Sequence, residues 1–445
     1  MSQIPATTIR IDPKLKSDAC DIYRELGISL SAAISAFLKA TVREQGLPFE
    51  MKLNDASDSN CGVLDVVDWT SERQHECSIT ETKNSFLNQA GRAKKDEFYT
   101  QYSDIEVEIA HYKKQFEDKI VFCNCDDPFE SNFFRYFVLN FNELKLKKLV
   151  ATCYAYSGRG TSLDCFTKTL SVQDGKPVAY KAVVTFVDAA LVDENTTNID
   201  LLSLFNTPGN SIEILDGDGD FRSPESINLL ETSDIVVTNP PFSLFKEFIS
   251  LLTRFNKAFL IIGNINAITY KEVFPLIREN KIWLGASIHS GDRKFLVPDD
   301  YPLNAAGCGI DENGRRFIRV KGVRWFTNLD MPQRHELLQL KEEYKEESYP
   351  KYENYNAVNV SRTADIPFNY DGVMGVPITF LDKYSPDQFE ILMLANGNVR
   401  ANSSSEILEK VGYSKHELDK GGVGIIDGKR SYARILIQRK KPEVA

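Results

Sequence analysis

The spacing of apolar positions changes along the chain, and each change marks an element. Near the start, "TTIRI" alternates, with Ile9 and Ile11 on one face and Thr8 and Arg10 on the other. That is the two-residue period of a strand. Asp12-Pro13 then supplies an N-cap and a first-turn proline for a helix over "KLKSDACDIYREL", which Gly27 closes. Ser29 or Ser31 caps a second helix, "AAISAFLKATVREQG", stopped by Gly46 and Pro48. Residues 51–85 are polar and weakly periodic, the pattern of a linker. Beyond residue 86, short apolar runs alternate with amphipathic stretches. "KIVFCN" reads as a strand and "ESNFFRYFVLNFNEL" as a helix. "KKLVATCY", "KAVVTFVD" and "SDIVVTNPP" read as strands, "FSLFKEFISLLTRF" as a helix and "KAFLIIGN" as a strand. Apolar strands flanked by amphipathic helices predict a parallel, doubly wound α/β sheet, whose ligands bind at the C-terminal strand ends.

The first 50 residues hold one strand, whose backbone groups cannot all be paired within so small a unit. A second copy of the strand would pair them. This is the logic of a ribbon-helix-helix dimer, whose two-stranded ribbon enters the DNA major groove. Thr8 and Arg10 then face the bases; otherwise the ribbon serves dimerisation alone.

Composition narrows the class. The 445 residues suffice for about two or three domains, and 42% hydrophobic with 26% charged residues fits a soluble globular protein. No apolar run is long enough to span a bilayer, and the first residues lack a secretory pattern. The eight cysteines match no zinc spacing, so reduced thiols in the cytoplasm are expected. Five histidines without H-E-x-x-H or H-x-E lead us to expect no metal site. A net charge of −10 argues against non-specific coating of nucleic acid, but a positive cleft can sit inside an acidic shell.

The chemistry gathers where "SDIVVTNPPFSLFKEF" stops. Two adjacent prolines fit neither a central strand nor a helix interior, so they form a rigid corner at a strand tip. Asn239 and Pro240 offer a side-chain oxygen and a backbone carbonyl, Pro241 completes the corner, and Phe242 offers a ring. An N-P-P-F corner after an apolar strand resembles that of amino-methyltransferases, and the resemblance implies an exocyclic amine on a base as the nucleophile, a poor one because its lone pair is delocalised. Two acceptors aimed at its hydrogens draw the nitrogen toward sp³, and a stacked aromatic contributes roughly 1–3 kcal/mol. The base must first leave the duplex. Two further segments belong with this corner: the aromatic turn and acidic helix of "KKDEFYTQYSDIEVEIAHY", and the strand and turn "KIVFCNCDDPFESNFF". In that order the three resemble an amino-methyltransferase that uses S-adenosylmethionine.

The resemblance extends further. "NCDDPFESNFF", "VVTNPPFSLFKEF", "GVRWFTNLD", "YDGVMGVPITFLDKYSPDQFEI" and "GGVGIIDGKRSYARILI" resemble the EcoRI-type adenine-specific DNA methyltransferase family over about residues 86–445. "GISLSAAISAFL" and "GLPFEM" resemble the RelB/DinJ antitoxin family over about residues 1–50. The first resemblance implies a Rossmann-like S-adenosylmethionine-dependent methyltransferase fold, with a catalytic core at 86–280. It implies core completion and target recognition at 281–445. Asn239, Pro240, Pro241 and Phe242 would hold the flipped adenine. Phe98, Tyr99 and Thr100 would line the methionine end of the cofactor, and Asn124, Asp126, Asp127 and Pro128 would form its loop. Asp220 and Phe221, in the acidic stretch "DGDGDFRS", would approach its adenine. The sequence departs from wider methyltransferase patterns in two places: "CNCDDPFESN" has no glycine, and "VATCYAYSG" lacks an acid for the ribose hydroxyls.

Arg324, beside Trp325, is either a DNA contact or one half of a buried ion pair. The basic end "DGKRSYARILIQRKK", with Lys429 and Arg430, is either phosphate-facing or a solvated edge strand. The expected partners are double-stranded DNA, a second copy through the N-terminal module, and a cognate restriction endonuclease or toxin. Two alternatives remain at this stage. One is a methyltransferase acting on another amine, and the other is an antitoxin-type DNA-binding regulator with a vestigial catalytic fold.

Overall fold

A computed structural model describes residues 99–440 except 155–171, 174–175, 178, 193–199, 298–302, 304–306, 313 and 398–402. The chain divides into two compact units, Met1–Ile79 and Thr80–Ala445. The ribbon and helices expected at 1–50, the linker at 51–85, and residues Thr8, Arg10 and Phe98 lie outside the described residues.

In the second unit, α1 (Tyr102–Ile109) precedes β1 (Ile120–Cys123), and α2 (Asn132–Leu139) leads to β2 (Lys148–Thr152). Then come β3 (Tyr180–Val184), α3 (Leu201–Asn206), β4 (Ser211–Ile214), α4 (Pro224–Thr232) and β5 (Ile235–Thr238). They are followed by α5 (Phe245–Arg254), β6 (Ala258–Asn264), α6 (Phe274–Arg278), β7 (Trp283–Leu284) and β8 (Asp292–Leu296). β9 (Gly309–Ile310), β10 (Arg316–Lys321) and β11 (Val323–Thr327) precede β12 (Ala357–Asn359), β13 (Val373–Val376) and β14 (Phe389–Ala395). The chain continues through α7 (Ser405–Lys410), β15 (Ile425–Ile426), β16 (Lys429–Arg430) and β17 (Arg434–Arg439). Val172–Gln173 and Lys176–Pro177 pair as a short two-stranded antiparallel ribbon.

The main sheet runs β4-β3-β2-β1-β5-β6-β11-β7. Its four central strands, β2, β1, β5 and β6, are parallel. Each reads as an apolar run because both its faces are covered. Val121, Ile235, Val237, Leu260 and Ile262 enter one core with α1 and α2. Phe122, Val236, Phe259 and Ile261 enter the other with α4, α5 and α6. Helices thus lie on both faces, as the sequence pattern predicts.

The flanks correct the expectation of a wholly parallel sheet. β3 and β4, and β11 and β7 on the other side, are antiparallel to their neighbours. In β3 the apolar run is broken by Lys181, and its residues alternate between buried and half-buried. That alternation belongs to a strand with one wetter face. β11 carries "VRWFT", which joins the main sheet between β6 and β7 with all five residues buried.

Two smaller sheets accompany the main one, along with the two-stranded ribbons. β8-β10-β9 is antiparallel, and β12-β13-β17-β14 supplies Val358, Met374, Ile391 and Ile437 to the second core. The chain moves from β1 outward to β2, then returns to β5 on the other side of β1. The strand order therefore reverses between β1 and β5, and a crevice is expected outside their C-terminal ends.

Candidate active site

The loop after β1 is tied down by its own carboxylates. Asp126 is buried; its Oδ1 accepts the Ser131 hydroxyl at 2.7 Å and its Oδ2 the Thr238 hydroxyl. Its amide donates to the Thr152 carbonyl at 3.1 Å. One residue therefore links the ends of β1, β2 and β5. Burial pushes the Asp126 carboxyl up to about 7, against the opposing pull of the two hydroxyls. Asp127 accepts from the Tyr180 hydroxyl at 2.7 Å and from the Phe129 amide at 2.9 Å, and burial raises its carboxyl as well. Ser131 also caps α2, accepting from the amides of Phe133 and Phe134. No residue of this loop has positive φ. Its path needs no left-handed backbone, which accounts for a loop built without glycine.

The proline corner follows β5 directly. Asn239 and Pro240 are buried, Pro241 and Phe242 half-buried. The Leu244 amide donates to the Pro241 carbonyl at 2.9 Å, turning the chain into a short 3₁₀ segment and then α5. Phe245 anchors that turn: its ring lies 5.1 Å from Phe326 and over Gly263 of β6. A Cβ at Gly263 would come within 2.5 Å of the Phe245 ring, so glycine makes room for the anchor. Phe242 meets Phe295 of β8 edge-on at 6.4 Å.

The other expected segments reach the same edge of the sheet. Tyr99 pairs with Leu296 of β8 through two backbone hydrogen bonds, 2.9 and 3.2 Å. The Thr100 carbonyl accepts from the Asn132 side chain at 2.7 Å, where α2 begins. Glu108, fully buried in the acidic helix α1, accepts from the amides of Ala286 and Ser287 and holds α1 to the segment after β7. The acidic stretch packs against the end of β2: Gly219, at φ +76°, presses on the Cys153 carbonyl, where no Cβ fits. Asp220 is bound by Arg222 at 2.6 Å, and Phe221 is buried edge-on to Phe248 at 5.1 Å.

Among the polar atoms of these segments buried without a hydrogen-bond partner are Thr100 Oγ1, Asn124 Nδ2 and Thr152 Oγ1. Buried polar groups are ordinarily satisfied, so these suit a polar ligand at the C-terminal ends of β1 and β2. Tyr99, Thr100, Asn124, Asp126 and Asp127 thus lie at the same edge of the sheet as the corner at 239–242, with Gly219 packed at the end of β2. Sequence reasoning missed Ser131, Asn132, Tyr180 and Thr238. A serine directly before "NFFRYFVL" was a readable cap signal for the first of these. Tyr180 had none, because it arrives on an antiparallel strand.

Arg324 is 3% exposed within β11. It pairs with Asp382 at 3.3 Å and donates to the carbonyls of Val323 and His289. The expectation of a DNA contact is corrected here: the side chain is enclosed by the sheet. Lys429 and Arg430 are exposed on the β15–β16 hairpin, whose Asp427-Gly428 turn has both φ angles positive, 48° and 65°. The Arg430 guanidinium donates to the Leu418 carbonyl at 2.6 Å. Among the described residues, no helix is long and apolar enough to cross a membrane.

Comparison with known proteins bears on both units. The family model described as adenine-specific methyltransferase EcoRI matches residues 86–440, and that described as RelB antitoxin matches residues 6–83. The second match runs past residue 50 and across the stretch read as linker. The type II methyltransferase M.EcoRI of Escherichia coli is 45% identical over 360 residues, 80% of this chain and 97% of its own. M.MgeORF184P of Mycoplasma genitalium is 36% identical over 362 residues, and M.MpnI of Mycoplasma pneumoniae 35% over 364. Each covers 80% of this chain, and 99% and 98% of the relative respectively. No solved structure matches. A family match over most of the chain, on a sheet that gathers the expected segments at one edge, places this enzyme in the EcoRI-type family of adenine-specific methyltransferases.

Proposed function

We propose that the enzyme methylates N6 of an adenine flipped out of double-stranded DNA at a specific short site, with S-adenosylmethionine as donor. One observation carries the reading. The loop after β1 and the proline corner are joined through Asp126 and the Thr238 hydroxyl, and Thr238 leads directly into Asn239. A donor held by the loop is thereby fixed against a base held by the corner, which is the positional half of catalysis.

The cofactor supplies an electrophilic methyl group on a sulfonium, with a neutral thioether as leaving group. Phe98, Tyr99 and Thr100 would line its methionine end, and Asn124 Nδ2 and the Thr100 and Thr152 hydroxyls would give it hydrogen bonds they otherwise lack. Asp127 and Pro128 shape the loop, and Asp220 and Phe221 approach its adenine. Asn239 Oδ1 and the Pro240 carbonyl accept the two N6 hydrogens and free the nitrogen lone pair. Pro241 keeps the corner rigid, and Phe242 stacks on the base. The methylated nitrogen then loses its proton without a strong base, since the aromatic amine is weakly basic.

Lys429 and Arg430 serve as backbone contacts on the target duplex. The RelB-like segment serves as a ribbon-helix-helix dimer module, with Thr8 and Arg10 on its DNA face. A separate endonuclease or toxin partner and a cytoplasmic location complete the reading.

The test is single-molecule sequencing of a plasmid expressed with this protein in a methylation-deficient host. N6-methyladenine at one motif is expected. It should fall by about two to three orders of magnitude with Asn239→Ala, the usual scale for losing one positioned polar group at a reacting centre. Unmodified adenine with a folded wild-type protein would overturn the reading in favour of a DNA-binding regulator.

A further inference from the structure

The strand residues of β8, β9 and β10, "DRKFL", "GI" and "RFIRVK", hold five cations and one anion. In a chain of net charge −10 that is a concentrated positive element. Its register sorts the side chains. Opposite residues of an antiparallel pair share a face, and successive residues alternate. Phe295 faces Ile318 and Arg293 faces Val320, on the side that enters the core; Phe295, Ile318 and Val320 are at most 4% exposed. Through Phe295 this inner face meets Phe242 of the proline corner. Through Leu296 the sheet is hydrogen-bonded to Tyr99.

The outer face presents Lys294 opposite Arg319, Asp292 opposite Lys321 and Leu296 opposite Phe317. The Phe317 ring is flanked by two cations, Lys294 Nζ at 4.5 Å and the Arg319 guanidinium carbon at 5.9 Å. The ring places them side by side without neutralising them. Carboxylates do little more. Asp311 is shared by Arg315 at 3.0 Å and Lys294 at 3.3 Å, and Asp292 reaches Arg319 only at 3.8 Å. Lys321 is exposed and makes no ion pair among the described residues. A surface of cations around an aromatic ring, on the reverse of the sheet whose inner face meets Phe242, suits a polyanion with ring-sized apolar groups.

We infer that this outer face docks the sugar–phosphate backbone of the DNA beside the flipped adenine, with Arg319 and Lys321 neutralising phosphates. The inference rests on the reading of the enzyme as a DNA adenine methyltransferase and adds the surface that holds the distorted strand. A base leaves the stack only if its backbone is rotated and held there, and cations next to the pocket do that holding.

The test uses the full chain and a duplex carrying the methylated motif. Binding is measured against salt for the wild type, Lys321→Gln, and the double variant Arg319→Gln/Lys321→Gln. Each lost phosphate contact reduces the slope of log K against log salt by about 0.9, so reductions of about 0.9 and 1.8 are expected. With affinities at 1 M salt unchanged, the double variant then binds about sixtyfold more weakly at 0.1 M. KM for DNA rises while KM for S-adenosylmethionine is unchanged. The control is Lys113→Gln/Lys145→Gln, near the opposite end of the strands, which keeps the wild-type slope. Both control lysines are exposed and, among the described residues, form ion pairs only with surface glutamates. Wild-type slopes in both β10 variants, with DNA methylation intact, would overturn the inference alone. A wild type that leaves DNA unmodified would overturn the functional reading beneath it. Lys321→Gln removes an exposed charge without an ion pair, so a folding defect in the double variant leaves the test standing.

Discussion

Asp126 is held between two opposing forces, and the balance can be read from stability. Burial favours its neutral form, while the hydroxyls of Ser131 and Thr238 favour the charged one; burial wins, leaving the carboxyl at about 7 rather than the ordinary 3.8. The folded pKa of an acid is thus raised above its unfolded value. Below 3.8 both states are protonated and the group contributes nothing. Between 3.8 and about 7 the unfolded chain gives up its proton while the folded one keeps it, so stability falls as pH rises. Above that window both states are ionised and the full cost remains, about 4 kcal/mol at 1.36 kcal/mol per pKa unit. Asp126→Asn removes the titration and keeps the strut, because an amide oxygen still accepts a hydroxyl and the amide NH₂ donates to the other hydroxyl oxygen. In urea unfolding the variant should gain on the wild type with rising pH. More than half of the roughly 4 kcal/mol should develop between pH 5 and pH 8. Asp127 shifts in the same direction and titrates in both proteins, so the comparison largely cancels it. A stability difference that stays flat from pH 5 to pH 8 would refute the reasoning. It would mean that the hydroxyls outweigh burial and that the link between the loop after β1 and the proline corner is charged.

Other consequences follow from the packing. Gly263→Ala brings a Cβ to 2.5 Å from the Phe245 ring and must move the anchor of the proline corner. A loss of about 1–3 kcal/mol in stability and a larger fall in kcat than in cofactor affinity are expected, read by denaturation and single-turnover kinetics. Arg324→Gln leaves Asp382 buried without its cation and should cost about 3 kcal/mol, while the salt dependence of DNA binding stays at the wild-type slope. Tyr180→Phe removes a donor from the Asp127 carboxyl. It should lower stability by about 1–2 kcal/mol and raise KM for S-adenosylmethionine, measured on the same preparation.

What could be read from the sequence divides along a physical line. The central strands were legible because each is covered on both faces, and double burial writes an unbroken apolar run such as "IVFC" or "IVVT". The proline corner was legible because two adjacent prolines fit neither a central strand nor a helix interior, so they mark where a strand ends. The flanking strands were less so. "KAVVTFVD" carries the same residue types whether it runs parallel or antiparallel, and only Lys181 hinted at its wetter face. Arg324 shows the same limit from the other side. A cation beside a tryptophan looks like a DNA contact until the strand that carries it is seen between two others, with Asp382 waiting. Sequence spacing reports what a segment is made of, but pairing partners distant in the chain decide which way it faces. The edge proposed to hold the reaction depends on such pairings throughout: Asp126 with Thr238, Asp127 with Tyr180 and Tyr99 with Leu296 join segments that local pattern leaves separate. A chain whose strand order reverses between β1 and β5 must bring those segments to one edge. For that reason the roles assigned to them stand or fall together, and the Asp126→Asn titration tests more than a single residue.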